Sequence, residues 1–88
     1  MKIKDGFILK EIAGSYMVVP LGTQVISFNS IIKLNETGAF LWSQLSDDNT
    51  LENLISAMIS EYEVDEPTAK AGIQKFLNKL EDADLLDK

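Results

Sequence analysis

The chain contains no cysteine, no histidine and, among its basic residues, no arginine. Without cysteine there can be no disulfide, no thiolate metal site and no thiol nucleophile. Without histidine the commonest metal ligand and the commonest general base near neutral pH are both missing. Its glycines stand apart and fit neither GxGxxG nor GxxxxGK, so no loop is built to cradle phosphate. The charged opening, Met1-Lys2-Ile3-Lys4-Asp5-Gly6, lacks the apolar core of a signal peptide, and no apolar run reaches the roughly 18 residues of a membrane span. A soluble, cytoplasmic protein is expected.

Within 88 residues there is room for one domain, spanning 1–88, whose core buries roughly 60–65% of the unfolded surface. Eight lysines against 14 acids give a net charge of −6, which disfavours nucleic acid and anionic membranes as partners. The charge is uneven. Between Leu34 and Ala69 stand Glu36, Asp47, Asp48, Glu52, Glu61, Glu63, Asp65 and Glu66 with no lysine among them. The lysines lie before this stretch, up to Lys33, and after it, in the last helix at Lys70, Lys75 and Lys79 and at the terminal Lys88. One half is an acidic helical surface, and the other can accept an acidic ligand.

The first third reads as strands and turns. Phe7–Ile12 alternates loosely, Ala13-Gly14 supplies a turn, and Tyr16–Val19 is rich in β-branched and aromatic residues. Pro20 and Gly22 close that run. Val25–Phe28 and Ile31–Leu34 are further β-prone runs, separated by Asn29-Ser30, a two-residue link suited to a hairpin.

After Leu34 the apolar period changes to that of helices. Asn35 is a good N-cap for a helix over about 36–45, with Gly38, Leu41, Trp42 and Leu45 on one face and Phe40 on the other. Thr50 caps a second helix whose Leu51, Leu54, Ile55, Met58, Ile59 and Tyr62 follow i, i+3, i+4 spacing. Asp65 caps a third, with Glu66 and Pro67 in its first turn and a stripe of Ala69, Ile73, Phe76, Leu77 and Leu80. That helix frays near Ala83-Asp84, and Leu85-Leu86 fold back on the core. The order predicts an α+β, winged-helix-like domain of three or four short antiparallel strands followed by three helices.

Catalysis finds little to work with. The acid clusters Asp47-Asp48 and Glu63-Asp65-Glu66 sit at helix boundaries, where carboxylates cap backbone N–H groups and complement the helix dipole. Neither has the spacing of a calcium loop, and no metal or other cofactor is expected. An acyl carrier would need an Asp-Ser-Leu attachment motif, which is absent. A helix-turn-helix DNA regulator is an alternative, because a short turn joins the second and third helices. Its reading helix would offer only Lys70, Gln74, Lys75, Asn78 and Lys79, beside the repelling acids Glu66, Glu81 and Asp82. A purely structural subunit of an enzyme complex is a second alternative. A third route is binding through shape, in which an open strand edge accepts a foreign peptide as an added strand.

The segment Leu34-Asn35-Glu36-Thr37-Gly38-Ala39-Phe40-Leu41-Trp42 resembles the strand-to-helix junction of the PqqD-like family. Thr50-Leu51 with its helix, Tyr62-Glu63-Val64-Asp65, and Phe76-Leu77 with Leu80 leading to Leu85-Leu86 are similar and in the same order. The resemblance spans nearly the whole chain from Phe7. It implies a winged-helix fold, also described as the RiPP recognition element. This non-catalytic module holds the leader of a ribosomally made precursor peptide for a modifying enzyme, such as a radical SAM maturase or a leader protease. The leader adds as an antiparallel strand and packs against the third helix.

Carried onto this sequence, the resemblance puts the peptide against Ser27, Phe28, Ile31, Ile32 and Lys33, with either β-prone run as the open edge. On the helix side it implies Ala69, Gly72, Ile73 and Phe76, with Lys75 and Lys79 at the rim and on one face. An open edge can also pair with its own copy, so a monomer or a weak homodimer is expected. Gly72 departs from the family, which usually has an acid there; it weakens the helix by roughly 0.5–1 kcal/mol relative to alanine and can open space for a backbone. Asp84 stands where the family has glycine, at a left-handed C-cap.

Overall fold

The computed structural model describes residues 1–21 and 32–87. Its elements are β1 (Lys2–Ile3), β2 (Phe7–Ile12), β3 (Ser15–Pro20), β4 (Ile32–Leu34), α1 (Glu36–Gln44), α2 (Leu51–Glu61), α3 (Glu66–Asp82) and β5 (Leu86–Asp87). Strands β2, β3 and β4 form an antiparallel sheet in that order, and β1 pairs with β5 in a separate two-stranded ladder. The α+β arrangement of strands followed by three helices agrees with the winged-helix expectation. The Val25–Phe28 run and its Asn29-Ser30 link lie outside the described residues.

Strands β2 and β3 meet through a two-residue turn in which Ile12 faces Ser15. Both turn residues have positive φ, 52° at Ala13 and 80° at Gly14. That combination matches the right-handed twist of a hairpin and suits glycine well, alanine poorly. The turn lies at the exposed end of the hairpin, while Val18 at the other end is buried in the core.

Each helix begins on a side chain that satisfies an orphan backbone donor. The Gly38 N–H donates to Asn35 Oδ1 at 2.7 Å, the Asn53 N–H to Thr50 Oγ1 at 3.1 Å, and the Thr68 N–H to Asp65 Oδ1 at 3.0 Å. Thr68, through its side chain first and then this backbone N–H, holds the Asp65 carboxyl below its ordinary value. Spacing then selects what is buried. Leu41, Trp42 and Leu45 from α1, Leu54 and Met58 from α2, and Ile73, Phe76, Leu77 and Leu80 from α3 make one core with Val18, Ile32 and Leu34 of the sheet. Phe40, on the other face of α1, packs edge-to-face on Tyr62 with ring centroids 5.6 Å apart, clamping α1 to the end of α2.

Helix α3 ends in a Schellman motif. The Leu85 N–H donates to the Leu80 carbonyl at 2.9 Å and the Asp84 N–H to Glu81 at 3.0 Å, with Asp84 at φ 58°. Leu85 and Leu86 turn inward and are buried, as their apolar character demands. The chain then runs into β5 beside β1, where Ile3 faces Leu86. Neither of these two-residue strands was expected from periodicity.

Candidate functional site

The hydrogen-bond phase of the sheet decides which backbone groups of β4 are in use. The Leu21 N–H donates to the Gly6 carbonyl at 2.7 Å just beyond the Phe7–Pro20 pair. In an antiparallel ladder, bonded pairs alternate with non-bonded ones. Counting inward from Gly6 and Leu21, the bonded residues of β3 toward β2 are Val19, Met17 and Ser15. Tyr16 and Val18 therefore turn their groups toward β4, where they meet Leu34 and Ile32. Lys33, opposite Met17, shows both its N–H and its carbonyl to the far side. Among the described residues no strand pairs with that side.

Instead the Lys33 carbonyl accepts from the ammonium of Lys79, 3.1 Å away in the last turn of α3. The side chain of Lys33 is exposed while its neighbours Ile32 and Leu34 are buried. This is the alternation expected of a strand with one face on the core.

Between β4 and α3 lies an open groove of about 550 Å³, lined by Lys33, Leu34, Asn35, Thr37, Gly38, Leu41, Gly72, Lys75, Phe76 and Lys79. A second hollow of about 480 Å³ continues past Lys33, Leu34 and Asn35 to Glu11, Gly14, Ser15, Tyr16 and Glu36. Among the described residues, the first groove has an apolar floor, three lysines in its lining and no carboxylate. The ion pairs among the described residues, Met1–Asp48 and Lys4–Asp84, lie elsewhere.

The structure brings together Lys33, Gly72, Lys75, Phe76 and Lys79 from the residues implied by the resemblance. Ile32 adjoins them but is 9% exposed and belongs to the core. Ala69 and Ile73 are buried at 3% and 0% exposure and are not part of the groove lining. The reason is their position on the stripe of α3 that packs inward, one residue round from the rim. Ser27, Phe28 and Ile31 lie outside the described residues.

Sequence reasoning missed the wall supplied by the start of α1. Thr37 and Gly38 line the groove, and a side chain at Gly38 would crowd three neighbours. A Cβ there would stand 3.2 Å from Asn35 Oδ1, 3.3 Å from Leu34 Cβ and 3.4 Å from Phe76 Cε1. Asn35 cannot move aside easily, since its oxygen caps the helix. A glycine in the first turn of a helix, where intrinsic propensity disfavours it, was the available signal. At Gly72 the situation is opposite: an added Cβ would meet nothing within 4 Å.

Comparison with proteins of known structure finds TbiB1 in complex with the TbiA(beta) leader peptide, at a TM-score of 0.78 and 29% sequence identity. That match covers 99% of this chain and 95% of TbiB1. No curated protein sequence matches. The family model described as "Coenzyme PQQ synthesis protein D (PqqD)" matches residues 8–86, nearly the whole chain. With the groove, the open strand and this match in agreement, the chain belongs to the PqqD family.

Proposed function

We propose that this protein is a RiPP recognition element, a non-catalytic module that binds the leader of a ribosomally made precursor peptide and presents it to a modifying enzyme. The observation that carries this reading is the outward-facing backbone of Lys33, set beside a groove whose other wall is α3. An extended peptide laid there gains main-chain hydrogen bonds from β4 and side-chain pockets over Phe76 and Gly72. TbiB1, similar over almost its whole length, has been solved with a leader peptide. Ordering a flexible peptide offsets part of the gain, so a dissociation constant in the nanomolar to micromolar range is expected. The enzyme partner is one that acts on such precursors, of the radical SAM or leader-protease type.

The test is titration with leader peptides of short precursors encoded beside the gene, followed by amide shifts of Lys33, Gly72 and Lys79. Saturable binding with those shifts is expected. Lys33→Pro removes the outward N–H on an edge strand that tolerates proline. It should weaken binding about 10-fold more than Lys33→Ala, the worth of one desolvated main-chain hydrogen bond. Equal effects of the two variants, both folded, would exclude backbone pairing at β4. No saturable binding below about 100 µM would sink the reading as a whole.

A further inference from the structure

We propose that Lys79 guards the open side of β4, and that an incoming peptide releases it by offering a carboxylate of its own. The inference rests on the peptide-binding reading above and adds the chemistry of the side chain that the groove selects.

Three observations lead to it. First, Lys79 Nζ lies 3.1 Å from the Lys33 carbonyl. A strand added to β4 would run about 4.8 Å from it and place an N–H along the same line. The ammonium stands where that donor must come. Second, Lys75 lines the same groove one turn before Lys79 on α3, so the wall Lys79 leaves is itself positively charged. Third, among the described residues the lining holds no carboxylate, in a chain whose net charge is −6. Glu11 and Glu36 lie in the adjoining hollow past Asn35. Among the described residues, the protein keeps its abundant acids out of the lining that Lys33, Lys75 and Lys79 share.

Displacing Lys79 therefore removes a charge-assisted hydrogen bond that the groove itself does not replace. A peptide side chain ending in a carboxylate, seated over the last turns of α3, replaces it. A neutral extended segment does not. The same holds for a strand from a second copy of this chain, so the lysine also protects the edge from self-pairing, a role charged edge residues commonly take. The device makes pairing conditional: the backbone supplies adhesion, and the peptide's acid unlocks the site where it begins.

The experiment is a double-mutant cycle on the full chain. The probes are the leader peptides of the titration above, with each Asp or Glu changed singly to Asn or Gln. Wild type should lose about 5–10-fold in affinity at one acidic position, and Lys79→Met less than about 2-fold at the same position, because the partner charge is gone. A leader variant with every carboxylate neutralised should bind Lys79→Met more tightly than wild type, since nothing has to be displaced. Lys79→Gln provides a second variant should the first not fold. Additive losses at every acidic position, or tight wild-type binding by the fully neutralised leader, would overturn the guard while leaving peptide binding intact. Failure of the unmodified leaders to bind wild type overturns the peptide-binding reading, and the guard with it.

Discussion

The β1–β5 ladder and the outer side of β4 are both sheet borders, yet they are closed by different means. At β1 the chain uses backbone. The Ile3 N–H donates to the Leu45 carbonyl at 2.9 Å, the Lys4 N–H to Leu85 at 2.8 Å, and the Asn49 N–H to Met1 at 2.8 Å. Beneath these bonds Leu45 and Leu85 are wholly buried. At β4 the only closure among the described residues is one lysine side chain on one carbonyl. Apolar burial and main-chain bonds make the first border part of the fold. The second is held, among the described residues, by one exposed contact that adds little to the stability of the fold. Investment in the one permits openness in the other, because a small domain has few elements with which to hold itself together.

The sharpest way to break this contrast is to damage the closed border. Leu85→Ala should cost about 2–5 kcal/mol in urea unfolding, since the side chain is fully enclosed and the Schellman turn that places it cannot collapse onto the gap. Peptide affinity, measured on the fraction that remains folded, should change little. A variant that kept full stability would show that the β1–β5 end is an ornament rather than a clamp.

That clamp was the part of the fold least legible in the sequence. The β2 run was readable to the residue, and Asn35, Thr50 and Asp65 all cap the helices their chemistry suggested. Those signals are local. Strands of two residues carry no period, and the pairing of Lys2 with Asp87 joins opposite ends of the chain, which no window of sequence can display. Leu85-Leu86 announced burial but not the strand that follows from it. In the groove, family resemblance pointed to Phe76 and to Lys75 and Lys79 at the rim, and these line it. The Thr37–Gly38 wall was hidden, because the glycine's meaning lies in contacts with Leu34 and Phe76 made only after folding.

The contrast can also be sharpened from the open side. Gly72→Ala places its methyl in empty space and removes a flexible residue from the interior of α3. Stability should rise by about 0.5–1 kcal/mol. The groove should at the same time bind leader peptide less tightly, if the missing side chain is what lets a backbone approach Phe76. Thermal unfolding and peptide titration on the same variant read the two effects separately. A gain in stability with unchanged affinity would assign Gly72 no part in admitting the peptide.

The smallest effect belongs to the charged trim of the closed border. The N-terminal ammonium lies 2.6 Å from Asp48 Oδ1. Its hydrogen bond and its charge hold the Asp48 carboxyl below the ordinary value of 3.8. A carboxyl whose folded value is depressed stabilises the fold above its unfolded value, and loses that contribution as pH falls through the lower, folded one. Wild type should therefore be more stable than Asp48→Asn near neutral pH, and the two should converge in acid below the ordinary aspartate range. Because the carboxylate is 82% exposed, salt should shrink the difference at every pH. Urea unfolding of both proteins across the acid limb, at low and high salt, checks the sign. A gap that persisted in acid would mean that Asp48 acts through something other than its charge.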